Sequence, residues 1–373
     1  PGVGLRPLHL AGRDGTLRRF EAMLRAAPEQ PANMRLTGLR GVGKSVLLKE
    51  FADRAGEQAW EPALLELQPS HNTDRAIQEV ITQLATATRE AVSRSERVRA
   101  AAGRAAQAAG GLAVSWGEVS VSYVAGTRPD ETDLAKALYD ATDVALRHGR
   151  SGVVLLLDEA QAIRDDRDRS GQHPLSLLIA AVSMLQRTEV PLGLVVCGLP
   201  TLTGNLLRAR SYTERMFRGE EIDSLDGAEA EQALTEPLAG TGAEIDGAVV
   251  AEIVDEVEGY PYFIQLWGAE LWDAAVTADT SAMTPALLAA ARPDIYRRLD
   301  IDFYEPRVAT LTPAEQDVLI GSADCSYPPL TVSELNESVD KSPGNINVLL
   351  GRLVENGVMY RVRKGQYEYT APK

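Results

Sequence analysis

The chain has 373 residues, with 38 cationic side chains against 53 acidic ones, a formal net charge of −15, and 45% hydrophobic residues. Length and apolar content suffice for two or three domains with their own cores, while the acidic balance argues against coating nucleic acid or an anionic membrane through bulk charge, though not against a local basic face. Two cysteines and four scattered histidines write neither a disulfide framework nor a cysteine–histidine metal site; no apolar run approaches the ~18 residues of a membrane span and the amino end lacks a signal-peptide plan, so the chain reads as soluble, cytoplasmic and without a membrane partner.

The predicted elements begin with a helix within residues 1–30 (GTLRRFEAMLRAA), closed by Pro28 and Pro31. A strand follows at 33–37, then a Gly-rich turn and a helix at 44–54. Residues 62–68 alternate apolar and polar and read as a second strand. Residues 73–109 read as a long Ala/Arg-rich helix. Its Arg89, Arg94, Arg97, Arg99 and Arg104 form either a solvated face or a contact for nucleic acid or a partner. Residues 111–124 alternate with period two around Trp116-Gly117, a hairpin signal. A helix at 130–148 precedes VVLLL at 153–157, a run that suits a parallel strand buried on both faces. A helix at 174–187 and a strand at 192–197 repeat the unit. Strands alternating with helices predict an α/β fold with a doubly wound parallel sheet. From 227 to about 298 the pattern is all-helical, with amphipathic stretches at 227–238, 247–257 and 261–275. A small separate unit starts near Leu311.

Gly38-Leu39-Arg40-Gly41-Val42-Gly43-Lys44-Ser45 matches G-x-x-x-x-G-K-[ST] in full. Glycines let consecutive backbone N–H groups turn inward around a phosphate, and the helix starting near Lys44 points its N-terminal dipole at the same anion. Lys44 supplies a cation for the β- and γ-phosphates and Ser45 a hydroxyl for Mg²⁺, with Val46 next in the helix. The second half of the site is Val153 to Glu159. An acid at the carboxyl end of a buried strand lies where open α/β sheets bind ligands. Asp158 is the acidic partner of Ser45 at Mg²⁺, and Glu159 can orient and deprotonate the attacking water.

With this loop, VVLLLDEA, a strand-terminal LVVCGLP and a helical lid, residues 9–300 resemble the P-loop ATPases of the AAA+ superfamily. The resemblance is to the branch holding origin-recognition initiators, STAND-type signalling ATPases and related bacterial and archaeal proteins. Leu10-Ala11-Gly12-Arg13-Asp14 resembles that branch's motif before the first strand, whose Arg lies near the nucleotide. YTERMFRG, read as a helix end, places Arg215 where the family has its arginine finger, with Arg208, Arg210 and Arg218 as neighbours. Gly259-Tyr260-Pro261 resembles the Gly-x-Pro motif whose Pro packs near the base. Two features depart from the pattern. Tyr262-Phe263-Ile264 follows the Pro where initiators carry a lid Arg, and Cys197-Gly198-Leu199-Pro200 replaces the polar sensor after the fourth strand, with Thr201 the nearest hydroxyl. The resemblance implies a nucleotide-binding core over 1–225 (with 73–124 as an insertion), a helical lid over 226–300, and a winged-helix domain over 301–373. It also implies ATP or ADP with Mg²⁺ as cofactors.

Thr312-Pro313-Ala314-Glu315 and Thr331-Val332-Ser333-Glu334 carry helix starts with capping boxes. A third helix over 345–355 and an alternating hairpin over 358–370 complete the pattern of a winged helix. DNA contact would use Asn345, Asn347 and Arg352 on the third helix and Arg361, Arg363 and Lys364 on the wing. Against DNA, residues 309–373 hold eight acids and six bases. Two functions follow from the resemblance. One is an ATP-hydrolysing protein whose nucleotide state controls homo-oligomer assembly and DNA engagement. The other is a STAND-like signalling or scaffold ATPase whose winged helix contacts protein.

Overall fold

In the computed structural model the described residues are 6–106, 131–165, 172–326 and 329–370, side chains excepted at 95–106 and 131–132. Five strands run parallel in one sheet: β1 (Asn33–Thr37), β2 (Trp60–Glu66), β3 (Gly152–Asp158), β4 (Leu192–Gly198) and β5 (Arg218–Glu221). Their order is β2-β3-β4-β1-β5, with Leu36 opposite Cys197 and Leu155 opposite Leu194. Alternate side chains of the buried strands face opposite ways. Met34, Leu36, Val154, Leu156, Val195 and Cys197 meet α1 (Asp14–Ala26) and α2 (Lys44–Glu57), where Phe20 stacks on Phe51 at 4.0 Å. Val153, Leu155, Leu157, Leu194 and Val196 meet α3 (Asp74–Ala106), α4 (Glu131–Arg147), α5 (Pro174–Gln186) and α6 (Thr201–Ala209). The parallel sheet read from the apolar runs is present.

Three details differ from the sequence reading. β2 starts at Trp60 rather than 62, because Trp60 and Glu61 are buried at its sheltered end while Leu64 is exposed. The helix expected to end in YTERMFRG does not extend that far. α6 stops at Ala209, one turn α7 (Thr213–Met216) follows, and the chain straightens from Phe217 into β5. β5 itself, Arg-Gly-Glu-Glu, has no apolar pattern. It is an exposed edge held by backbone pairing to β1 and by Arg19 of α1, which binds Glu220 through two bonds of 2.7 and 2.6 Å. The long helix expected at 73–109 appears over its described residues as α3, with Arg89 and Arg94 exposed. The hairpin expected at 111–124 lies outside the described residues.

The segment expected as a lid, called so below, comprises α8 (Gly227–Thr235), α9 (Gly247–Val257), α10 (Pro261–Thr277) and α11 (Pro285–Leu299). Asp226 and Glu229 form a reciprocal capping box at the start of α8 (2.8 and 3.0 Å). The segment is not wholly helical, since β6 (Glu244–Ile245) pairs with β7 (Ala282–Met283). A wide turn at 300–304 continues α11 into α12 (Glu305–Val308), and Phe303 of that turn packs in the lid core. The lid core is continuous with the α1–α2 side of the sheet.

The C-terminal unit has a core of its own, with Val318, Leu335, Ile346, Leu350, Leu353 and Tyr367. It contains α13 (Pro313–Gly321), β8 (Leu330–Thr331), α14 (Val332–Ser338), α15 (Pro343–Glu355), β9 (Met359–Arg363) and β10 (Gln366–Tyr369). The three expected helices and hairpin are joined by β8, which completes a sheet of order β8-β10-β9.

Candidate functional site

The loop Gly38–Gly43 joins the carboxyl end of β1 to the first turn of α2. Gly43 caps α2 at φ +93°, a left-handed conformation open to glycine, and an added Cβ there would meet no atom within 4 Å. Among the described residues, none accepts from the N–H groups of Gly41, Val42, Gly43, Lys44 or Ser45. Free donors at a helix start with an open left-handed glycine beside them fit a phosphate. Gly38 anchors the loop to the neighbouring strand through its N–H and the Gly198 carbonyl (3.2 Å).

Lys44 is only 6% exposed and its Nζ donates to the Leu39 carbonyl at 2.7 Å. Burial lowers its pKa, opposed by Cys197, Glu159 and Asp158 nearby. A cation already stripped of water, on a mobile stem, suits exchange of that carbonyl for a phosphate oxygen. Ser45 and Val46 are half-buried in the first turn.

Asp158 ends β3, buried, and accepts the Glu159 N–H at 2.8 Å. One carboxylate and one hydroxyl, Ser45, form a hard-oxygen donor set that fits Mg²⁺ completed by water and phosphate. Cys197, on β4 between the two motif strands, is buried against Asp158. Burial first, then that carboxylate, pushes its thiol pKa well up, so it stays protonated and unreactive. Glu159 sits at φ +50°, rare for a side chain larger than glycine's. Gln161, which the sequence reading did not single out, donates from Nε2 to Glu159 Oε2 and accepts the Leu199 N–H on Oε1.

Arg13, which the resemblance puts near the nucleotide, has its guanidinium committed to backbone. It donates to the Val42 carbonyl (3.2 Å) and the Asp223 carbonyl (2.7 Å), and burial lowers its pKa. It braces the loop from behind. In the Gly-Tyr-Pro segment, Pro261 opens α10, and the neighbouring Tyr260 makes the contact. Its hydroxyl donates to the Arg40 carbonyl, and its ring is buried.

Arg40 is a three-way junction. Its carbonyl takes the lid's Tyr260, while its N–H donates to the Thr370 carbonyl of the C-terminal unit (3.0 Å). Its guanidinium lies against Gly357, where an added Cβ would come 2.7 Å from Nη2. No sequence pattern links residues 40, 260 and 370, so these contacts were not foreseen.

Arg215 is exposed and lines an open cavity with Asn33, the first residue of β1. It therefore lies at the opposite end of the sheet from the chain's own loop. Asn345, Asn347 and Arg352 are exposed on α15, although Asn347 spends its amide on the Pro343 carbonyl (2.9 Å). Arg361, Arg363 and Lys364 are exposed on the wing, and Arg363 also binds Gln366. Among the described residues no helix is long and apolar enough to cross a membrane.

Residues 9–196, just over half of the chain, match the family model for the AAA ATPase domain. Residues 302–373 match a domain of unknown function. No curated protein sequence matches the chain. Among solved structures it is similar to the Walker-type ATPase of Pyrococcus abyssi, at 15% identity over 98% of this chain and 95% of that one, with a TM-score of 0.55. It is also similar to the ORC2 protein of Aeropyrum pernix in its ADPNP-ADP complexes, at 11% identity over 99% and 92% of the two chains, with a TM-score of 0.56. At these identities the likeness concerns the fold.

Proposed function

The chain belongs to the AAA ATPase domain family, and from that membership we propose that it binds and hydrolyses ATP at the Gly38–Ser45 loop and uses the nucleotide state to set how its C-terminal unit engages DNA. One observation carries the coupling: the loop residue Arg40 is hydrogen-bonded at the same time to the lid and to Thr370 of the C-terminal unit. A nucleotide that reshapes this loop acts on both, and the unit's position acts back on nucleotide affinity by linkage.

Lys44 and the free N–H groups of residues 41–45 hold the β- and γ-phosphates. Ser45 and Asp158 would hold Mg²⁺, which neutralises phosphate charge when bound. Glu159 orients the attacking water and takes its proton. In this reading Arg215, exposed at the far end of the sheet, reaches a neighbouring subunit's nucleotide rather than its own. Activity then depends on assembly, for such an arginine is worth about 10³–10⁵ in rate. The C-terminal unit, with its three helices and hairpin, is a winged helix in this reading. It presents Arg352, Arg361, Arg363 and Lys364 to phosphates. The similar Aeropyrum protein is named an ORC protein and was solved with ADP and ADPNP.

A second reading has support of its own. The acid-rich C-terminal unit and the apolar Cys197 at the end of β4 favour a slow, nucleotide-gated scaffold whose winged helix contacts protein.

Light scattering with ADP, with non-hydrolysable ATP, and with ATP plus a DNA duplex tests the choice, on wild type and Glu159→Gln. DNA-dependent assembly supports the first reading, and assembly indifferent to DNA the second. DNA binding should fall with salt and with Arg361→Glu and Arg363→Glu. Undiminished binding in that double variant rules out the wing as the DNA contact.

A further inference from the structure

A carboxylate that activates water must be held in one orientation, yet Cys197-Gly198-Leu199-Pro200 at the end of β4 offers only the buried Cys197 thiol, which bonds Asp158 rather than Glu159. The structure fills that place from another element. Gln161 lies in the single turn Ala160–Ala162 that follows β3. Its Nε2 donates to Glu159 Oε2 at 2.5 Å, and its Oε1 accepts the Leu199 N–H at 3.0 Å, just past β4. The amide fits because residue 198 is glycine, where a Cβ would lie 2.2 Å from Gln161 Oε1. The Gly198 carbonyl in turn accepts the Gly38 N–H at the root of the phosphate loop. One side-chain amide thus joins the carboxylate after β3 to a strand end that is itself bonded to the loop. Glu159 stands at φ +50°, a conformation that persists only where surroundings impose it.

We propose that Gln161 is the positioning residue of hydrolysis in this chain. It holds one oxygen of Glu159, so the other stays free to accept a proton from water, and it supplies at the end of β4 the polar group that β4 lacks. The inference rests on the ATPase reading above. In the step it serves, the water oxygen forms a bond to the γ-phosphorus while the bond to the β,γ-bridging oxygen breaks, its electron pair leaving with ADP. The water proton passes to Glu159 and then to solvent.

The test compares Gln161→Met, which keeps the shape without either hydrogen bond, with Gln161→Glu, which can still accept the Leu199 N–H but repels Glu159. If the Met variant fails to fold, the Glu variant carries the test. For each, kcat and KM are measured on the full chain with Mg²⁺ and ATP, and ADP affinity by calorimetry. The Met change is repeated in a Glu159→Gln background. Misplacing a reacting group costs about 10–100-fold, so kcat should fall by that factor while KM and ADP affinity stay within about twofold. In the Glu159→Gln background the Met change should add nothing, because Gln161 acts only through the carboxylate. A Gln161→Met enzyme with wild-type kcat, or a loss that persists without Glu159, overturns the inference and leaves the ATPase reading standing. A wild type that binds ADP but turns over no ATP overturns both.

Discussion

Changing Tyr260 to Phe removes one oxygen from the contact between lid and phosphate loop. The ring is 1% exposed and packs edge-on against Phe263 at 4.7 Å and Phe303 at 6.3 Å, while the hydroxyl donates to the Arg40 carbonyl. Phe keeps the ring contacts and loses the bond. A net hydrogen bond of this kind is worth about 1 kcal/mol. The bond is only part-buried, so about 1 kcal/mol is the lower figure, and an acceptor left unpaired would cost more. About 1 kcal/mol is roughly fivefold in the lid-docking equilibrium. A nucleotide held between loop and lid should then bind about fivefold more weakly, read by calorimetry with ADP. Tyr260→Ala instead removes the ring and should cost about 3–5 kcal/mol of stability. Burial raises the phenol pKa above its ordinary value of about 10, so the donor stays protonated at any working pH. The stability this shift contributes is complete below about pH 10 and is lost as pH rises through the elevated value. Unchanged ADP affinity in a stable Tyr260→Phe protein would refute a role for the lid contact in holding nucleotide.

Gly41→Ala should weaken ADP binding at least tenfold. Its φ of +79° costs a side chain about 1–2 kcal/mol, and the new Cβ would sit 2.3 Å from the Tyr260 hydroxyl; a wild-type calorimetric Kd contradicts this. The C-terminal unit should lose stability on acidification. Glu315 accepts the Thr312 N–H and hydroxyl (2.7 and 2.8 Å), and Glu334 accepts the Thr331 hydroxyl and N–H (2.6 and 3.2 Å). These bonds hold both carboxyls below their usual pKa, with Ser326 adding to the effect at Glu334. Their stabilisation is present above the ordinary glutamate value of about 4.3 and is lost as pH falls through the depressed one. Thermal melts from neutral to acid pH should show a slightly shallower loss in Thr312→Val plus Thr331→Val, which removes the two threonine hydroxyl bonds and keeps the N–H ones; an identical slope contradicts a share for the hydroxyls.

The phosphate loop, β3 with Asp158 and Glu159, and β4 were legible because each is local. A loop octet and short apolar runs need no knowledge of what they pack against. β5 escaped because its Arg-Gly-Glu-Glu carries no apolar period and is fixed by pairing with β1 and by Arg19, both distant in sequence. Gln161 escaped for a similar reason, since its meaning depends on Gly198 being 37 residues away and lacking a Cβ. The resemblance puts Arg13 near the nucleotide, and its bonds with the Val42 and Asp223 carbonyls are contacts that no local pattern announces. The junction at Arg40 joins residues 40, 260 and 370, and nothing in their local sequence marks them as partners.

Hydrogen–deuterium exchange over residues 357–370, in ADP and in non-hydrolysable ATP, tests most directly whether nucleotide in the loop governs the C-terminal unit. Exchange in this segment should differ between the two nucleotides in the wild type, and the difference should vanish in Lys44→Ala. Identical exchange in both, with binding of each confirmed by calorimetry, would contradict the coupling through Arg40.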